Sequence, residues 1–374
     1  MKLSTLIGVA VVAALSGSTV DATNRPAGLT FPSAGVWLTQ HLAQQNKLFG
    51  PLRGPSDSAC NRTSLQLLRS CAYDQVSDLF EHLGVCENLE DEDAGDCRTE
   101  LFDEYRESSE ECGAVYAARN DLCDLLPDDG PYLPEIDPDN FLSPAEVAQQ
   151  PNRYMPLIVG RTWLYANDEE IVEVTVTDDT REILGVECFS VRDVVSDHEG
   201  EVIEDTIDWF AQDRDGNVWY FGEIARNFED GYLEDIDGSF VADGEGIFPG
   251  IVMFAQPEVG VPYRQEFSLD EAEDAGTVLD LAADESSPFT NCNGQCLMTL
   301  DFTPLEPDAV EHKFYAPGVG LIVEVDPESG ERLELLSVQD LCARPCRRPA
   351  CVPYCRKGPV QPAFAAFRRR GVSG

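Results

Sequence analysis

The chain has 374 residues, 43% of them hydrophobic, and sets 26 Lys and Arg against 69 Asp and Glu for a formal charge of −43. That apolar content supports a folded core rather than wholesale disorder, and that charge repels nucleic acid and anionic lipid, which are excluded as partners. Thirteen cysteines point to an oxidising compartment and to disulfides rather than thiols.

Lys2, the apolar run LIGVAVVAAL (6–15) and the small residues Val20 and Ala22 read as a signal peptide over 1–22, so the protein is expected to be secreted and extracellular. The run is short for a bilayer and no later one is longer, so no membrane span is expected. Residues 23–59, rich in Pro, Gly and Ser, read as a linker.

Cys60, Cys71, Cys86, Cys97, Cys112 and Cys123 follow with gaps alternating between 11 and 15, read as a 26-residue period repeated three times. Val76, Leu79, Phe80 and Leu83 recur at helical spacing, and Leu101, Phe102 and Tyr105 share one side of a second stretch. These features predict a six-cysteine helical module over 60–126, with three disulfides chosen from 15 possible pairings, since so small a core needs crosslinks. In outline the module is similar to the elicitins, although the cysteine spacing differs and no function carries over. Asn61-Arg62-Thr63 is a glycosylation acceptor. Residues 71–140 hold 22 Asp and Glu against three Arg, and the prolines of 127–156 predict a Pro- and acid-rich linker.

From about residue 157 the apolar period becomes two. IVEVTVT (171–177), GVECFSVRDVV (185–195), GEVIEDTIDWF (200–210), GLIVEVD (320–326) and ERLELLSV (331–338) alternate, and DHEG, DRDGN, FEDG, DIDG and DPESG punctuate them. The fold class expected is mainly β: an antiparallel meander over 157–340 forming a barrel or half-barrel, its apolar residues inward, preceded by the small disulfide-rich helical module. Cys188, on an alternating face with Val186, is expected as a buried unpaired thiol.

WFAQDRDGNVWYFGE (209–223) is the densest aromatic and acidic stretch. Asp215-Gly216 predicts a two-residue turn in which Phe210 faces Phe221, Gln212 faces Trp219 and Trp209 faces Gly222. Trp209, Trp219 and Phe221 are candidate ligand-binding residues. Asp213, Asp215 and Asn217 are candidate calcium ligands, although the stretch fails the EF-hand pattern. No other cofactor is expected. Glu311, His312 and Tyr315 are candidate acid–base residues, with Glu311 and His312 on opposite faces of one strand.

Cys292 and Cys296 are expected to close a short loop, or one of them to pair elsewhere. Cys342, Cys346, Cys351 and Cys355 form a Pro-rich knot in a Cys-rich basic tail over 341–374, read as disulfides rather than a zinc site. Arg368, Arg369 and Arg370 could draw that tail onto the acidic module in self-association.

YMPLIVGRTWLY, GVECFSVRDVV, DWFAQDRDGNVWYFGE, GIVMFAQPEVGVPYRQEF and PLEPDAVEHKFYAPGVGLIVEV occur in an order that resembles a family of exported bacterial proteins of unassigned function, over about 150–338. The resemblance implies an all-β fold with a curled sheet like that of lipoprotein carriers, and brings no site residues. The expected function is a secreted, non-catalytic binding protein whose β domain holds an apolar or extracellular ligand, a small molecule or matrix component. The alternatives are a secreted hydrolase or isomerase using the same concavity, and an acidic structural protein associated with calcium or mineral.

Overall fold

The computed structural model describes residues 58–126 and 130–340, all within one compact unit, Pro55–Gly374. The expected signal peptide, Cys342, Cys346, Cys351, Cys355 and Arg368–Arg370 lie outside the described residues.

Two helices open it: α1 (Ala59–Cys86) and α2 (Asp91–Leu125). Ser58 caps α1 by accepting from the Asn61 N–H at 3.1 Å. Gaps of 11 and 15 residues are close to three and four turns, so each helix presents its cysteines in one stripe. The gap order is 11 then 15 along α1, and 15 then 11 along α2. It is a mirror rather than a threefold repeat, which corrects the periodic reading. Antiparallel packing therefore nests the pairs: Cys60–Cys123, Cys71–Cys112 and Cys86–Cys97, with Cα separations of 5.6, 5.9 and 5.7 Å. Leu79 and Leu101 pack between the helices as expected, whereas Phe80 and Phe102 are exposed at 53% and 52%.

The remainder is mainly β. The strands are β1 (Arg161–Ala166), β2 (Glu170–Ile183), β3 (Val186–Asp197), β4 (Val202–Gln212), β5 (Val218–Ile224), β6 (Asn227–Glu229), β7 (Tyr232–Asp235) and β8 (Phe240–Val241). They continue as β9 (Phe248–Met253), β10 (Pro262–Arg264), β11 (Glu266–Phe267), β12 (Ala275–Ala283), β13 (Cys296–Phe302), β14 (Val310–Ala316), β15 (Gly320–Val325) and β16 (Arg332–Asp340). Antiparallel pairing gives the order β10-β12-β13-β14-β15-β16-β1-β2-β3-β4-β5-β9-β11, a nearly closed barrel. Its two ends are adjacent in sequence: Pro262–Arg264 pairs with β12, Glu266–Phe267 pairs with β9, and only Gln265 separates them. Gly250 on β9 faces this seam; a Cβ there would lie 2.3 Å from the carbonyl carbon of Gln265.

One half of the lumen is apolar, with Trp163, Phe189, Phe210, Leu297 and Leu335 in one cluster. Segment 130–156, expected as a linker, is instead a strap that carries a 3-10 turn (Pro138–Asn140) and α3 (Pro144–Val147). Its prolines do block long elements, but Leu142, Val147 and Tyr154 are buried in the lumen cluster and Phe141 in a second cluster on the outer wall. That outer cluster holds Cys188, the free cysteine among the described residues, whose thiol burial pushes up to about 12.

The 209–223 hairpin forms with a different register. The Asp213 N–H donates to the Asn217 carbonyl at 2.9 Å, and Gly216 takes φ +94°, so the loop has three residues with a left-handed glycine. Phe210 consequently faces Tyr220, stacked at 4.6 Å, rather than Phe221, and Gln212 faces Val218 rather than Trp219. A bulge between Trp209 and Phe210 restores the expected Trp209–Gly222 pair.

The seam yields a direct test. Gly250→Ala is expected to cost about 1–3 kcal/mol, read as a lower urea midpoint, because its methyl meets backbone that cannot swing away. Gly246→Ala, where nothing lies within 4 Å, is expected to leave the midpoint unchanged.

Candidate functional site

Two enclosed places carry chemistry. The first is the other half of the lumen, where strand alternation turns ionisable groups inward. Lys313 on β14 lies 3.0 Å from Glu311, 3.5 Å from Asp301 on β13 and 3.6 Å from Glu324 on β15. Burial raises the Glu311 carboxyl, but the Lys313 ammonium outweighs it and holds Glu311 down at about 2. Glu324 shares a hydrogen bond with Glu311, and burial lifts it to about 7. Further round the barrel, burial lifts Asp193 on β3 and Glu223 on β5 to about 7. Asp208 on β4 and Glu266 on β11 go well above the usual range through burial and neighbouring carboxylates. The Tyr220 hydroxyl donates to Asp208 at 2.6 Å. Glu324 acts on both Asp193 and Tyr165, four and two strands away, so these groups share one interior.

This corrects the expectation of a uniformly apolar interior. Of the predicted acid–base trio, Glu311 and Tyr315 face this interior and His312, paired with Leu300 and Val325, is on the opposite face. Lys313, Glu324, Asp301, Asp193, Asp208 and Glu223 were missed. Their signal was present: a charged residue at an inward position of an alternating strand, as in VRDVV, TIDWF and IVEVD.

The predicted calcium residues are engaged with protein. Asp213 accepts from the Asn217 N–H (2.8 Å), Asn217 Nδ2 (2.9 Å) and Trp219 Nε1 (2.9 Å), while Asn217 Oδ1 accepts from the Ala255 N–H at 3.0 Å. Asp215 sits in the turn itself. Among the described residues no group of three or more His, Cys, Asp or Glu is disposed to hold an ion. Asn61 is buried in the first turn of α1, its amide donating to Ser58 Oγ at 2.9 Å, so a glycan there would have to be attached before the helix packs. Cys292 and Cys296 pair across their loop, with Cα atoms 5.2 Å apart.

The second place lies outside the barrel, between its seam and the helical hairpin. A cavity of about 670 Å³ is floored by Phe248, Ile251, Phe254 and Phe267, roofed by Leu67 and Leu122, and bounded by Tyr132 and Leu133 of the strap. Trp219 lines it; the other two aromatic candidates, Trp209 and Phe221, are buried in the outer-wall cluster instead. Tyr132 is fixed by donating to the Pro249 carbonyl at 3.0 Å and by ring contacts to Phe267 (5.1 Å) and Phe248 (6.5 Å), and its burial pushes the phenol up to about 12. At one side Arg119 of α2 grips Glu273, with Nη2 at 2.7 Å and Nε at 3.0 Å, and Asp270 at 2.8 Å. Arg264 of β10 lies over Phe267 at 4.9 Å.

No protein-family model, curated protein or solved structure matches the chain.

The lumen sets a pH dependence. Carboxyls held above their ordinary values favour folding below about pH 4, and that contribution is withdrawn as pH climbs through about 7. Glu311, held down, acts in the opposite sense only below about pH 4.5. The melting temperature is therefore expected to fall from pH 5 to pH 8. Glu223→Gln, neutral at every pH, should flatten that slope by at least about 1 kcal/mol, or roughly 2–4 °C; an unchanged slope in calorimetry refutes the assignment.

Proposed function

We propose that this is an exported, non-catalytic binding protein that holds one apolar small molecule in the cavity between the helical hairpin and the barrel seam. The observation that carries the reading is the cavity itself. Its volume falls within the roughly 300–1,000 Å³ typical of small-molecule sites, and its lining is mostly aromatic and aliphatic with few polar groups, as such sites require. The four disulfides of the described residues fit an oxidising environment, which supports export, and no described helix is long and apolar enough to cross a membrane. Beside the cavity Arg119 and Glu273 are engaged with each other.

A second reading, catalysis in the lumen, is favoured by the Glu311–Glu324 pair. Two hydrogen-bonded carboxyls driven apart to about 2 and about 7 have the form of an acid and base set.

The test is titration of the full chain with N-phenyl-1-naphthylamine, a neutral apolar fluorophore. Saturable one-to-one binding is expected, weakened about tenfold or more by Val261→Trp, a substitution at a cavity-lining residue that is 45% exposed and free to accept a larger ring. Absence of saturable binding overturns the cavity reading. Binding lost on Glu324→Gln but not on Val261→Trp would move the site to the lumen.

A further inference from the structure

The polar side of the cavity is electrostatically lopsided. Arg119 is matched twice over, by Glu273 and by Asp270. Glu273 is in turn saturated: Oε1 accepts from Arg119 Nη2 at 2.7 Å, from Arg119 Nε at 3.1 Å and from the Asp270 N–H at 2.8 Å, and Oε2 accepts from Arg119 Nε at 3.0 Å. None of these carboxylate oxygens is paired with the neighbouring guanidinium. Arg264 is only 9% exposed, and lines the same cavity. Its Nη2 donates to the Cys60 sulfur at 3.3 Å, a weak acceptor. Its Nη1 is buried with no hydrogen-bond partner among the described residues. The ring faces of Phe267 and Tyr132, at 4.9 and 5.9 Å, cushion the cation without accepting its N–H groups.

A buried guanidinium with an unanswered N–H beside an apolar cavity is half of an ion pair. Resting on the cavity reading, we propose that the ligand is an amphiphile with one anionic head, such as the carboxylate of a medium-chain acid, seated against the Arg264 guanidinium with its apolar body among Phe248, Ile251 and Phe254. One charge suffices, because Arg119 is already neutralised and the cavity lining holds no further cation among the described residues. Burial also pushes the Arg264 guanidinium below its ordinary value, the direction expected of a cation that protein alone leaves under-compensated. The body of the ligand is apolar because most of the remaining lining is ring or alkyl.

The net charge of −43 makes the proposal demanding, since the protein's outer field repels the very ions the cavity would take. Any preference for an anion must then originate at the buried site. Such a preference survives added salt, because a desolvated contact is weakly screened.

The experiment is calorimetric titration of the full chain at pH 7 with dodecanoate, dodecanol and dodecyltrimethylammonium, at 0.05 and 0.5 M NaCl. Dodecanoate is expected to bind at least about tenfold more tightly than dodecanol at both salt concentrations, with the cationic amphiphile weakest. Arg264→Gln should equalise dodecanoate and dodecanol, and Arg264→Lys should restore part of the difference. Equal binding of dodecanoate and dodecanol to the unmodified protein overturns the anionic head and leaves the cavity reading standing. No binding of any of the three overturns both. Should Arg264→Gln fail to fold, the ranking of heads by the unmodified protein decides alone.

Discussion

The barrel depends on one six-residue segment. Residues 262–267 must complete hydrogen bonding at both edges of a long antiparallel sheet, passing from β12 to β9 at Gln265. An open edge of this length would be a pairing hazard, and closure removes it only if the segment sits tight against Gly250. Closure also fixes which side chains go where. Tyr263 and Gln265 turn to the lumen, where Gln265 donates to Asp301 at 3.0 Å, so Arg264 between them turns out beneath the hairpin. The same pairing that shuts the barrel aims the guanidinium at the cavity.

The clasp between Arg119 and the loop carrying Asp270 and Glu273 ties the hairpin to that seam. Both Arg119 and Glu273 are almost wholly buried. Burying such a pair contributes little net stability, because desolvation offsets attraction, but separating it is costly, so it specifies position more than it adds strength. The hairpin cannot supply that specification itself. Its own apolar core is confined to a few residues around Leu79 and Leu101, and three nested disulfides do the work of a larger core. A stiff, crosslinked lid anchored at one buried pair leaves the cavity between it and the wall defined rather than collapsed.

The parts of this architecture that follow from local periodicity were legible in the sequence. Alternation in 171–177, 185–195 and 320–326 announced strands, and the buried unpaired Cys188 followed from its place in one of them. The cysteine spacing was legible but ambiguous, since 11-15-11-15-11 is at once a repeat and a palindrome, and only the direction of the second helix distinguishes them. The 130–156 strap was hidden because prolines dictate irregular backbone without saying whether that backbone is solvated; its Phe141, Leu142 and Val147 were the available signal. The hairpin register slipped because Asp-Gly suits a two-residue loop, whereas Asp213 latching Asn217 and Trp219 makes the three-residue loop the better satisfied one. The cavity was invisible, as Arg119 and Tyr132 lie far in sequence from Arg264, which barrel closure brings beside them.

The two enclosed sites resolve opposite charge problems, and the chemistry open to each differs. The lumen concentrates acid, yet burial and neighbouring carboxyls push a group there toward its protonated form, the direction taken by Asp208 and Glu266. Its ammonium among the described residues, Lys313, already faces three carboxyls. The lumen can therefore reach electrical balance unaided, by exchanging protons with the medium. A guanidinium has no such outlet, since it stays charged at any pH the fold survives. Three cations of the described residues meet different fates: Lys313 lies against three carboxyls, Arg119 against two, and Arg264 has no carboxyl within hydrogen-bonding distance. The first two are stabilised by residues folded around them. The third is left to be completed from outside, and the apolar cavity it borders is where the completing group would arrive.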